Sequence, residues 1–171
     1  MGELAGAVKA LASLAPIPTT NESEMRALVR QIAHFNSDTS LATTTALAEQ
    51  VAVRAKQKSR LVRVYYCPAA AVTGAATNFF TLLVAKRPTA APGTPVNLIT
   101  YAADTATTDD AAAFGSKDLL AAATYATYVP TAVGSDFDLL EGDVLTVAVT
   151  KAASGMTFPI SQVVFELEAL T

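Results

Sequence analysis

The sequence predicts a mainly β protein: an antiparallel β-sandwich preceded by an N-terminal arm that contains one or two short helices. Three observations predict it. From Arg60 onward apolar residues recur with a period of two in five segments. Those segments are closed by Pro, Gly or Asp turns and not by long helices, the pattern of a sandwich and not of an α/β fold. The clearest helical stripe lies before residue 36.

Residues 1–20 read as an extended arm ending in Pro16-Ile17-Pro18. Glu3 comes first and Lys9 interrupts the apolar run, so the segment lacks the charge order of a secretory signal. Residues 21–59 read as a helical region and linker. Asn21 with Glu24 three residues on forms a capping box, and Met25, Leu28, Val29, Ile32 and Phe35 then follow at helical spacing. Glu22 near the start and His34 near the end complement the helix dipole, so the spacing predicts a helix over 22–35. Such a helix is too short to be stable alone, and its stripe requires a partner surface. Leu41, Leu47, Ala48 and Val51 suggest a second, weaker helix or an extended linker, with Thr43-Thr44-Thr45 disfavouring the helix.

The sandwich is expected over 60–171, about the length of one such domain. Its strands are predicted at 61–67, 78–86, 96–101, 144–150 and 161–168, with Pro68 and Pro88 stopping the first two. Residues 117–130 read both ways: Leu119-Leu120-Ala121-Ala122-Ala123 favours a helix, and Thr124-Tyr125-Ala126-Thr127-Tyr128-Val129 favours a strand.

Composition narrows the function. The chain is 51% hydrophobic, yet 35 of its 171 residues are alanine, so the large apolar side chains are no more abundant than in an ordinary core. Charged residues make up 16% and threonine contributes 22 positions, which implies a neutral polar surface. No apolar run reaches the roughly 18 residues of a membrane span, so no membrane partner is expected. A single cysteine excludes an internal disulfide, and with a single histidine it cannot build the usual zinc sites. No Gly-rich phosphate loop is present, and no cofactor is expected.

Cys67, at the end of an apolar strand, reads as a structural thiol, and His34 as a helix-end residue. Asp109-Asp110, Asp136, Asp138, Glu141 and Asp143 form acidic clusters that read as turn residues; the calcium loop that would organise them is missing. An enzyme is not expected. Charge divides unevenly, with +3 over residues 1–63 and −6 over the remainder. Arg54, Lys56, Lys58, Arg60 and Arg63 concentrate at the junction. No aromatic residue separates the first four of these cations from one another, and the pI is about 5.1, so nucleic acid is not the expected partner.

One stretch resembles a known family. Arg63-Val64-Tyr65-Tyr66-Cys67-Pro68 is followed by small residues, by the turn Thr73-Gly74-Ala75-Ala76-Thr77-Asn78, and by a strand ending in Lys86-Arg87. Together with Leu140-Glu141-Gly142-Asp143-Val144-Leu145-Thr146-Val147 and the segment from Gly155 to Pro159, this order is similar to that of tailed-bacteriophage capsid decoration proteins. The resemblance implies a jelly-roll sandwich and a cement or head-stabilising role. It also implies a homotrimer on the capsid exterior, with the major capsid protein as partner and the virion as location. The 60-residue N-terminal region exceeds what a minimal decoration protein carries. Candidate subunit or capsid contacts are therefore Met25, Leu28, Val29, Ile32 and Phe35, with the cations Arg54, Lys56, Lys58 and Arg60. The alternative is a head-fibre or adhesin-type module binding a host-surface glycan, with Tyr101, Tyr125 and Tyr128 as stacking platforms.

Overall fold

The computed structural model describes residues 30–105, 109–120, 136–153 and 155–170, with only the backbone of Arg30. Among them are nine strands: β1 (Arg30–Ser37), β2 (Leu47–Arg54), β3 (Ser59–Pro68), β4 (Phe80–Arg87), β5 (Val96–Ala102), β6 (Lys117–Asp118), β7 (Asp138–Leu139), β8 (Val144–Lys151) and β9 (Ser161–Ala169). The described residues contain no helix.

The strands form two antiparallel sheets. The first has the order β1-β9-β3-β6, with β7 also on β3; the second has the order β2-β8-β4-β5. The chain changes sheet at almost every connection, and only the β4–β5 and β6–β7 connections stay within one. β6 pairs Tyr65 and Tyr66, and β7 pairs Ser59 and Arg60, so the two are pieces of one edge strand lying along β3. Counted that way, the sandwich has the eight-strand order of a jelly roll.

All five strands expected after residue 60 form where the alternation places them. Phe80, Leu82 and Val84 of β4, Leu145, Val147 and Val149 of β8, and Val163, Phe165 and Leu167 of β9 point between the sheets and are buried. In β3 the inward residues are Leu61, Val64 and Tyr66, a spacing of three and then two. A bulge between Leu61 and Arg63 adds one residue there, which turns Arg63 outward and returns Val64 to the core. At the centre, Phe80 stands edge-on to Phe158 at 4.9 Å, and Tyr66 packs 5.5 Å from Tyr101. Aromatic pairs in such arrangements add stability beyond the area they bury.

The N-terminal expectation needs correction. Residues 30–35, read as the last turns of a helix, are strand β1, paired with β9 from Arg30↔Glu168 to Ser37↔Ser161. Strand parity separates two members of the supposed stripe. Phe35 enters the core with 7% of its surface exposed, whereas Ile32 faces out at 57%. A partner more than a hundred residues away decided the conformation, and local propensity did not. Similarly, 47–54, read as weak helix or linker, is β2 on the edge of the second sheet. Among the described residues the two sheets therefore take in two strands, β1 and β2, that lie before the boundary drawn at residue 60. The predicted helix before residue 30, and the choice between helix and strand for 121–130, lie outside the described residues.

The connections gather at two ends of the sandwich. The entry end holds the start of β1 and the connections 55–58, 88–95 and 140–143. The far end holds the connections 38–46, 69–79, 103–116 and 152–160. At the far end Gly155 has φ +61, and a Cβ there would lie 2.3 Å from the Thr43 carbonyl oxygen. Gly155→Ala should therefore destabilise the fold by roughly 1–3 kcal/mol. Gly93→Ala, in open space, should change it by less than about 0.5 kcal/mol. Urea midpoints of the two variants check this; equal midpoints would show that the Gly155 turn relaxes freely.

Candidate interaction surface

The basic stretch splits between two environments. Arg60 and Arg63 lie on the outer face of the first sheet and are held there by carboxylates. Arg60 Nε donates to Asp138 Oδ1 at 2.6 Å and its Nη2 to Asp138 Oδ2 at 3.2 Å, a two-pronged pair that joins β3 to β7. Arg63 Nη1 donates to Asp118 Oδ2 at 3.1 Å, with Glu166 3.9 Å from its Nε. Arg60, proposed from sequence as a contact residue, thus has a structural partner of its own.

Arg54, Lys56 and Lys58 differ. Arg54 ends β2, and the other two occupy the tight connection to β3; all three are exposed. Among the described residues none makes an ion pair or side-chain hydrogen bond. The backbone that carries them is well anchored. Ala55 N–H donates to the Asp143 carbonyl at 2.8 Å, Gly142 N–H to the Ala55 carbonyl at 2.9 Å, and Leu170 N–H to the Lys58 carbonyl at 3.0 Å. Asp143 is itself buried, and its carboxylate accepts the N–H groups of Thr89 and Leu140 at 2.7 and 2.9 Å. The three cations therefore project from a fixed platform at the entry end. Beside them, in the connection bonded to Ala55, Leu140 is 58% exposed.

The other sequence candidates fall elsewhere. Met25, Leu28 and Val29 lie outside the described residues. Ile32 faces solvent from β1, and Phe35 packs in the core. Asp109 and Asp110 act within the loops and Asp138 acts between strands. Asp109 is buried and its Oδ2 accepts from Thr105 N–H at 2.8 Å, Asp110 Oδ1 accepts from Gly74 N–H at 2.9 Å, and Asp138 holds Arg60. Among the described residues no three His, Cys, Asp or Glu side chains gather as metal ligands, and no helix is long and apolar enough to cross a membrane. His34 stands exposed opposite Val164. Cys67 lies against Gln162 on the neighbouring strand, and burial pushes its thiol pKa up, away from a reactive thiolate. Tyr101 is fully buried with its hydroxyl donating to the Asp109 carbonyl, so it offers no face to a sugar. Tyr125 and Tyr128 lie outside the described residues.

A second surface was not foreseen. At the far end a groove of about 370 Å³ runs between Asn36, Cys67, Ala69, Phe114, Ile160 and Gln162. Phe114 is 87% exposed and has φ +56, a backbone region that bulky residues rarely enter. Its N–H is held by the Pro68 carbonyl at 2.8 Å. Phe114 follows three alanines and precedes a glycine, a context without periodicity, so nothing in the sequence marks it as exposed.

No protein-family model, no curated protein and no solved structure matches the chain.

Proposed function

We propose that the protein is a virion structural protein that binds the outer surface of a phage capsid as a homotrimer and cements the shell. The observation that carries this reading is an agreement between motif order and strand order. The residues that resemble decoration proteins span β3, β4 and the start of β8, together with connections that join these strands along the jelly-roll path. The turn 73–78 lies in the β3–β4 connection, where Gly74 is tied to Asp110. The segment 140–147 contains the Asp143-clamped turn and leads into β8. A fold alone hosts many functions, so the resemblance supplies the role and the topology supplies a body suited to it.

A cement protein works through contact area and does not need a reactive pocket. On the outer face of the second sheet Leu83, Ala85, Thr146 and Ala148 lie side by side, with Ala85 and Thr146 buried. The one charged pair described there, Arg87 with Glu49, closes on itself: Arg87 Nε donates to Glu49 Oε1 at 2.7 Å. That hydrogen bond, followed by one from the Thr146 hydroxyl, holds the Glu49 carboxyl below its ordinary pKa.

Two measurements test the proposal. Sedimentation equilibrium should give about three times the 17.7 kDa chain mass. Added to capsids purified without it, the protein should raise the temperature at which the shells open. A monomer that leaves shell melting unchanged would refute the reading.

A further inference from the structure

We infer that the entry end of the sandwich is the docking end, and that Arg54, Lys56 and Lys58 seat it on an acidic protein surface with Leu140 as the apolar anchor. The inference rests on the capsid reading for the identity of that surface, the outer face of the assembled shell.

The protein's cations divide by what binds them. Arg60, Arg63 and Arg87 are each bound by a carboxylate of the same chain. Lys86, Lys117 and Lys151 each donate to a backbone carbonyl, of Asp138, Asp110 and Met156 respectively. Six cations are thus consumed by the fold. The three without such a partner among the described residues are neighbours, set within five residues at the end of β2 and on the connection that follows it. Exposed like charges at that spacing repel one another, so folding gains nothing from gathering them, whereas an anionic partner does. Glu141 is exposed in the adjoining connection, and the cations outnumber it three to one.

The chemistry around the cations favours protein over nucleic acid. Residues 54–58 are Arg-Ala-Lys-Gln-Lys, with no aromatic ring to stack on a base. An exposed leucine flanked by charges is instead the pattern of a protein interface, an apolar centre within a polar rim. The backbone hydrogen bonds to Asp143, Ala55 and Lys58 fix the platform, so little ordering remains to oppose binding. The first described residue, Arg30, opposite Glu168, starts β1 at this same end.

The test uses the full chain and capsids purified without it. The triple variant Arg54→Glu, Lys56→Glu, Lys58→Glu and its neutral counterpart with Gln at all three positions are compared with wild type. A third variant, Phe114→Ser, alters the far end and serves as the control. Thermal melts first establish that each variant is folded, as expected for exposed sites. The charge-reversed protein should bind capsids about tenfold more weakly or worse, the Gln variant should fall between, and Phe114→Ser should bind like wild type. Raising salt from about 50 to about 500 mM should weaken wild type and leave the Gln variant nearly unaffected. Wild type that binds with a charge-reversed variant of equal affinity would overturn the docking end while leaving the capsid reading intact. Wild type that fails to bind would overturn both. Retention of wild type but not the Glu variant on a DNA duplex at 150 mM salt, with no difference on capsids, would replace the acidic surface by nucleic acid.

Discussion

Deletion of residues 1–37 is expected to abolish cooperative folding, whereas deletion of residues 1–29 leaves the sandwich intact. The difference is one strand. β1 pairs β9 over eight Cα positions, and β9 lies between β1 and β3 at the centre of the first sheet. Without β1, β9 becomes a long edge rich in Val, Phe and Leu, the kind of edge that recruits other chains. Phe35 leaves the core as well, and loss of a buried Phe side chain alone costs about 3–5 kcal/mol. A domain stable by only about 5–15 kcal/mol does not survive that together with a lost ladder. Circular dichroism melts and size-exclusion chromatography of the two truncations check the prediction. A sharp melt for the longer deletion would show that β1 is dispensable.

The second large effect is expected at Phe80. Its ring is fully buried and lies between Phe158 at 4.9 Å, Tyr101 at 6.0 Å and Tyr66 at 6.2 Å. Lys151 covers the cluster, with Nζ 5.6 Å from the Phe80 centroid and donating to the Met156 carbonyl at 2.6 Å. Burial lowers the Lys151 pKa, so its ammonium depends on this carbonyl and these ring faces for solvation. Phe80→Ala removes a shared neighbour of three rings and a face of the cation. The expected loss is about 3–5 kcal/mol, or roughly 10 °C in melting temperature for a chain of this size. Phe80→Leu, which keeps most of the volume, should lose less than half as much. Calorimetry of the two variants decides; an alanine variant within 2 °C of wild type would show a cluster loose enough to collapse into the space.

The sandwich was legible where strand alternation and turn chemistry agree. In β4, β8 and β9 the inward positions are apolar at every second residue, and Pro88, Gly142 and Gly155 mark the turns beside β4 and β8. Legibility failed where the pattern depends on a distant partner. Ile32-Ala33-His34-Phe35 carries no clear period of two, and β1 exists because β9 presents an unpaired ladder to it. β2 contains Glu49, Gln50 and an exposed Val51, with two register shifts against β8, so its periodicity is broken in the sequence itself. Of the candidate surface, the cations were visible as a run. Their division into paired Arg60 and unpaired Arg54, Lys56 and Lys58 was not, because Asp138 reaches Arg60 from 78 residues away. Phe114 escaped notice for a related reason: exposure of an aromatic ring is set by the left-handed turn at φ +56, which leaves no compositional trace.

The account's central claim is that this jelly roll decorates a shell. Cryo-electron microscopy of the parent capsid, reconstructed with and without the protein, tests it most directly. The account predicts threefold clusters of sandwich density on the capsid exterior, present only when the protein is present. In them the 55–58 and 140–143 connections should face the shell and the Phe114 groove should face away. Shells identical in the two reconstructions would contradict it.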